Sequence, residues 1–153
     1  PIPSPRMSGA AAVLNGRLHV LGGRTQTGDT QSSYANSATH ESYDPATDSW
    51  ETHAELPAPV SGIAAAAMAG KIYVFGGEDD KPPFEAYSHV WIYDPADDAW
   101  TESSSLPTPL HGHGAITLED GIHLLGGSTT SGGTGTTDLH LLLELLSETH
   151  SEK

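Results

Sequence analysis

Residues 70–100 read GKIYVFGGEDDKPPFEAYSHVWIYDPADDAW. An apolar strand runs into a double glycine and a polar loop follows. A second strand then ends in Tyr-Asp-Pro, with a tryptophan seven residues after the tyrosine. The double glycine recurs at Gly22-Gly23, Gly76-Gly77 and Gly126-Gly127, at offsets of 54 and 50. Pro5, Pro59 and Pro109 each lie 17 residues before the first glycine of the pair. The segments between align without gaps: PRMSGAAAVLNGRLHVLGG, PVSGIAAAAMAGKIYVFGG and PLHGHGAITLEDGIHLLGG. Tyr43-Asp44-Pro45 with Trp50 matches Tyr93-Asp94-Pro95 with Trp100.

Self-similarity at a fixed period marks a repeat architecture, in which each unit buries its apolar face against the next. A period near 50 carrying Gly-Gly, Tyr and Trp resembles the kelch repeat, over essentially the whole chain. The resemblance implies an all-β fold, a kelch-type β-propeller. We expect repeats at 1–56, 57–106 and 107–153, each a four-stranded blade, together forming one half-propeller. The third is degenerate, lacking Tyr-Asp-Pro and the tryptophan. The first has an extended loop after its glycines.

Each repeat reads as strands A to D. Strand A covers 8–14, 62–68 and 112–118. It is rich in alanine, which suits the crowded centre of a radial array. Propensity alone favours helix for AAAAM, but seven residues bounded by glycine are too few for a stable one. Turns are expected at Asn15-Gly16, Ala69-Gly70 and Asp120-Gly121. Strand B covers 17–21, 71–75 and 122–125, with apolar side chains on both faces, as a sheet covered on both sides requires. Strand C covers 39–43 and 89–93, and strand D starts at Trp50 and Trp100. These tryptophans are expected to pack between blades. The stretch 139–146, LHLLLELL, reads as a third strand C, with helix as its rival. Glu148-Thr149-His150 matches Glu51-Thr52-His53, which makes Ser147 the start of a third strand D.

The chain holds 20 acidic residues against 6 basic, a formal charge of −14. Nucleic acid and anionic membranes are poor partners for such a field. No apolar run is long enough for a membrane-spanning helix. The chain starts at proline, so we expect a processed or excised product. Cysteine is absent, which removes disulfides, thiolate zinc ligands and thiol nucleophiles. By the same resemblance it argues against a galactose-oxidase-like copper site, which needs a cysteine cross-linked to tyrosine. We expect no cofactor.

Three blades form an open arc with two bare apolar faces, which need a partner. We expect a homodimer that closes six blades; blades supplied by a longer chain are the alternative. Strand parity puts the D–A links and B–C loops on one face, and long loops on rigid scaffolds carry function. That face is expected to display Arg6, Arg24, Glu78, Asp79, Asp80, Lys81, His111 and His113. The other face, with short turns, reads as structural. His111 and His113, at i and i+2 on a strand, point the same way and are metal-ligand candidates. The resemblance favours a purely structural role for them. The other histidines show no metal-ligand spacing. No nucleophile–base motif appears.

The resulting expectation is a binding scaffold that recognises a protein or small ligand at the loop face and channel mouth. The alternative is a carbohydrate-active enzyme of the sialic-acid-mutarotase-like kelch type, with Arg6 as its first anion-binding candidate. A third reading is a purely architectural half-propeller.

Overall fold

The computed structural model describes residues 1–28, 33–79 and 81–144. Among them there is no helix. The first sheet orders β1 (Ala10–Leu14), β2 (Arg17–Leu21), β5 (His40–Asp44) and β6 (Ser49–Thr52). Its B–C connection, expected as loop, folds into a small hairpin of β3 (Arg24–Gln26) and β4 (Tyr34–Asn36). The second sheet comprises β7 (Ala64–Met68), β8 (Lys71–Phe75), β9 (Val90–Asp94) and β10 (Ala99–Glu102). The third contains β11 (Gly114–Leu118), β12 (Gly121–Leu125) and β13 (His140–Glu144). Its expected strand D, from Ser147, lies outside the described residues. All pairing is antiparallel.

β13 is strand, not helix, because it completes a ladder with β12, pairing Leu124 with Leu141 and Ile122 with Leu143. One turn is displaced from its expected place. Leu118 pairs with Gly121, so the third A–B turn is Glu119-Asp120 and Gly121 already belongs to the strand. Asp-Gly is a local signal; the register set by the ladder on both sides overrides it.

The inner strands β1, β7 and β11 lie side by side, with β7 in the middle. Ala64, Ala65 and Ala66 are buried there, where larger side chains would hold the strands apart. The core lies between sheets. Ile72 and Val74 of β8 join Leu14, Leu21, Val60, Ile63, Trp91 and Tyr93 against the first sheet. Phe75, with Ala66, Met68 and Val90, packs against Ile122 and Leu124 of the third. Each such aliphatic side chain contributes about 1.5–3 kcal/mol by leaving water. This explains the incomplete alternation of strand B: both its faces are covered.

The Tyr-Asp-Pro segments have a specific local chemistry. Asp94 Oδ1 accepts the Ala96 N–H at 3.0 Å, which closes the turn. The Tyr93 hydroxyl donates to Asp98 at 2.7 Å, and Asp98 in turn accepts the Ala54 N–H of the preceding link at 3.0 Å. Trp100 Nε1 donates to the Ala54 carbonyl at 2.9 Å. In the second repeat tyrosine, aspartate and tryptophan together fasten the sheet to the link that leaves its neighbour.

Candidate functional site

Links and B–C loops share one face. The bridges Met7–Arg24, Ser61–Glu78 and His111–Ser128 occupy equivalent places in the three repeats and set each link against its own loop. On this face all three B–C loops line a cleft of about 510 Å3, formed by Arg24, Tyr34, Glu78, Asp79, Phe84, Ser131 and Gly132.

Glu78 is its centre. Its backbone N–H donates to Ser61 at 2.8 Å, and its carbonyl accepts from Asn36 Nδ2 at 2.8 Å. Its carboxylate accepts the Ser131 hydroxyl at 2.9 Å and the Gly132 N–H at 3.2 Å. Arg24 Nη1 stands 3.9 Å from Oε1, and the guanidinium lies 5.3 Å from the centre of the Tyr34 ring. One carboxylate thus holds groups from all three repeats. Phe84, 54% exposed, forms an apolar rim. An aromatic rim over fixed carboxylates fits a basic or amphipathic group.

The expected residues divide. Arg24, Glu78 and Asp79 meet in the cleft. Lys81 is exposed outside its lining, with its N–H bonded to Asp79 Oδ1 at 3.2 Å. Asp80 lies outside the described residues. His111 is buried behind Glu78, with Nε2 on the Thr130 carbonyl at 2.8 Å and Nδ1 3.5 Å from Glu78 Oε2. His113 is buried near Gly76 and Gly127, and burial, with His111 nearby, lowers its pKa to about 4. His111 and His113 are not at i and i+2 of one strand, as expected. Both precede β11, and Gly112 between them has φ +63°, which breaks the extended backbone. Arg6 is the clearest correction. It is not displayed: its side chain is 1% exposed and pairs with Glu41, 3% exposed, at 2.6 Å.

Tyr34, Phe84, Ser131 and Gly132 were not among the expected residues. Nothing in their local sequence marks them; only the convergence of three loops puts them in one wall.

The chain matches the KLHDC2/KLHL20/DRC7 Kelch-repeats domain over residues 1–151. It belongs to the kelch-repeat family. This kelch chain is 40% identical to human Kelch domain-containing protein 1 over 78 residues, which are 48% of the chain and 19% of the relative. It is 35% identical to Beta-scruin of Limulus polyphemus over 74 residues, 48% of the chain and 7% of that protein. It is 36% identical to human Kelch repeat and BTB domain-containing protein 13 over 70 residues, 46% of the chain and 14% of that relative. The kelch chain therefore spans less than a fifth of the length of these relatives. The solved structure of YjhT superposes with a TM-score of 0.67 at 23% identity, covering 84% of this chain and 36% of that one, a likeness of fold.

Proposed function

We propose that this kelch chain is a binding scaffold that takes a short segment of a protein partner into the three-loop cleft. The fixed Glu78 carboxylate carries the reading. With Asp79 beside it and Tyr34 and Phe84 around it, the cleft suits a segment with a basic side chain next to an apolar one. The net charge of −14 would steer such a partner inward. A positional peptide array, read by fluorescence polarisation, tests this. Lysine or arginine should be selected beside an apolar position. Glu78→Gln should weaken the best peptide about tenfold or more, a loss of at least about 1.4 kcal/mol. Lys81→Ala should change little. Equal binding of acidic and basic peptides would overturn it. Arg6, on which the carbohydrate-active reading leaned, is occupied by Glu41.

We further propose that the three sheets are blades, with repeats at 1–56, 57–106 and 107–153, and that a second copy of the chain closes a six-bladed ring. Each observed junction uses four backbone hydrogen bonds. At the first they are Leu56 to Ala38 (2.9 Å), Val60 to Ser37 (3.2 Å), Gly23 to Val60 (2.8 Å) and Gly62 to Ser8 (2.8 Å). At the second they are Leu106 to Ser88, Leu110 to Tyr87, Gly77 to Leu110 and Gly112 to Gly62. Continuing the register, the next set would be Ile2 to Asp138, Arg6 to Thr137, Gly127 to Arg6 and Ser8 to Gly112. Those eight groups have no backbone partner among the described residues. Apolar side chains stand beside them: Val13, 67% exposed, with Leu18 on the first sheet, and Leu118, 54% exposed, with Ile116 and Leu142 on the third.

Light scattering over a dilution series should give about twice the 16.0 kDa chain mass. The two halves carry like charge, so added salt should tighten the dimer. A folded monomer at all concentrations would rule out closure by a second copy.

A further inference from the structure

A cluster of histidines on the first sheet lies against the second. His19 lies on β2, His40 on β5 and His53 one residue past β6. Strand pairing assembles them. His19 sits opposite Ser42, two residues along β5 from His40, and the His53 N–H donates to the His40 carbonyl at 3.0 Å. One ring nitrogen of each lies within 4.8 Å of the other two. We propose that His19, His40 and His53 bind a divalent transition-metal ion of the zinc class, with its remaining coordination position open to the cleft between the first and second sheets. The proposal is independent of the loop face.

The donor chemistry fits. Neutral imidazoles suit zinc, copper and nickel, and three of them with one open position form a recurring zinc arrangement. Burial, with neighbouring histidines, lowers the pKa of His40 to about 3 and that of His19 to about 4, so both rings are neutral at pH 7. The ring nitrogens that would turn to the metal are now joined by short hydrogen bonds. His19 Nδ1 meets His40 Nε2 at 2.8 Å, and His53 Nε2 meets Ser42 Oγ at 2.7 Å. Tetrahedral zinc–nitrogen bonds of about 2.0–2.1 Å set their ligand atoms about 3.3 Å apart. The contact between His19 and His40 would open by about half an ångström as the metal replaces the shared proton.

The surroundings fit too. Asp98 stands 3.6 Å from His53 Nδ1 and is itself fixed by the Tyr93 hydroxyl and the Ala54 N–H. The Tyr93 hydroxyl, 3.3 Å from His53 Nδ1, links that ring to the carboxylate, and a carboxylate so linked orients a ligating ring. Tyr93 closes the far side, edge-on to His40 at 4.5 Å between ring centres. A cleft of about 360 Å3, walled by His19, His53, Glu51 and Asp98, opens the cluster to solvent. Arg17 also lines it, but its charge is met by Glu51 at 2.7 Å and Asp44 at 3.3 Å. The third sheet repeats the pair: His123 Nδ1 lies 2.7 Å from His140 Nε2. There Asp120 takes His123 Nε2 at 2.8 Å, and the residue matching His53 is His150, outside the described residues. The second sheet has Tyr73, Val90 and Ser103 at these places.

The test is titration of the intact chain with zinc chloride by calorimetry, and with cobalt(II) by visible absorption. One tight equivalent, a tetrahedral cobalt spectrum and a zinc-dependent rise in Tm are expected. His53→Ala should weaken that equivalent about 100-fold or more, and Asp98→Asn about tenfold. His53→Gln, which keeps a hydrogen bond to Ser42, serves if the alanine variant does not fold. His89→Ala and His123→Ala should leave the tight equivalent in place. Zinc binding no tighter in the wild type than in the His53 variants, or only an octahedral cobalt spectrum, would overturn the site and leave a hydrogen-bonded structural cluster.

Discussion

Arg6→Ala should destabilise the chain by about 3–5 kcal/mol, because it leaves the Glu41 carboxylate charged, buried and without its cation. A whole domain holds only about 5–15 kcal/mol, so the variant should sit near its folding threshold at physiological temperature. The guanidinium does more than pair. Nη1 also donates to the Ser4 carbonyl at 2.7 Å and Nη2 to the Val20 carbonyl at 3.0 Å, while Ser4 Oγ donates to Glu41 at 2.8 Å. These contacts lock the entering link onto β2 and β5.

The repeats supply the control. The positions matching Arg6 and Glu41 are Val60 and Trp91 in the second repeat, and Leu110 and Leu141 in the third. Val60 and Trp91 belong to one apolar cluster. The same place is thus filled once by a buried ion pair and otherwise by apolar side chains. Replacing a buried pair with well-packed apolar groups is often neutral or stabilising, whereas removing one partner is costly. Arg6→Leu with Glu41→Leu should therefore come within about 1 kcal/mol of the wild type, although each single change costs several. Urea unfolding of the four proteins gives the coupling directly. Additive losses would show that the two side chains act separately.

Arg6 also shows where reading the sequence stops. The arginine looked like a ligand group because strand parity put it on the loop face, although Val60 and Leu110 at the matching positions spoke against it. That Glu41 replaces Trp91 and Leu141 in step with it is informative only once the link is known to lie against strand C. The repeat marks were legible because each makes a local or repeated contact: Tyr93 to Asp98, Trp100 to Ala54, Gly77 to Leu110. Strands 17–21 and 71–75 were legible to the residue for the same reason. The cleft was half legible. Arg24, Glu78 and Asp79 follow the double glycines, but Phe84 and Ser131 reach the same wall through loops of different length. The histidine cluster was missed because its members are 21 and 13 residues apart, on two strands and just past a third. Its signal was the recurrence of His19 and His40 as His123 and His140, which strand pairing turns into contact.

Gly76→Ala should cost about 3–6 kcal/mol, and Gly112→Ala about 1–2 kcal/mol, although the two residues share nearly the same φ. Their φ angles are +62° and +63°, so the conformational strain of adding a side chain is the same. The surroundings differ. A Cβ on Gly76 would overlap the Leu110 carbonyl oxygen and lie 3.1 Å from His113 Cε1, whereas one on Gly112 meets nothing within 4 Å among the described residues of its own chain. That carbonyl accepts the Gly77 N–H at 2.8 Å, one of the bonds that hold the third sheet to the second. The link would have to move away, losing the bond and loosening the packing of Phe75 against Leu124. Chemical denaturation of both variants separates the steric cost from the conformational one. Hydrogen exchange locates it: Gly76→Ala should expose the Gly77 and Leu110 amides before the interior of β8. Equal losses in the two variants would mean that the double glycine serves its own turn alone. The larger loss at Gly76 would show that it serves the approach of the next sheet, and would explain why the pair recurs in all three repeats while Gly112 is serine, Ser8, in the first.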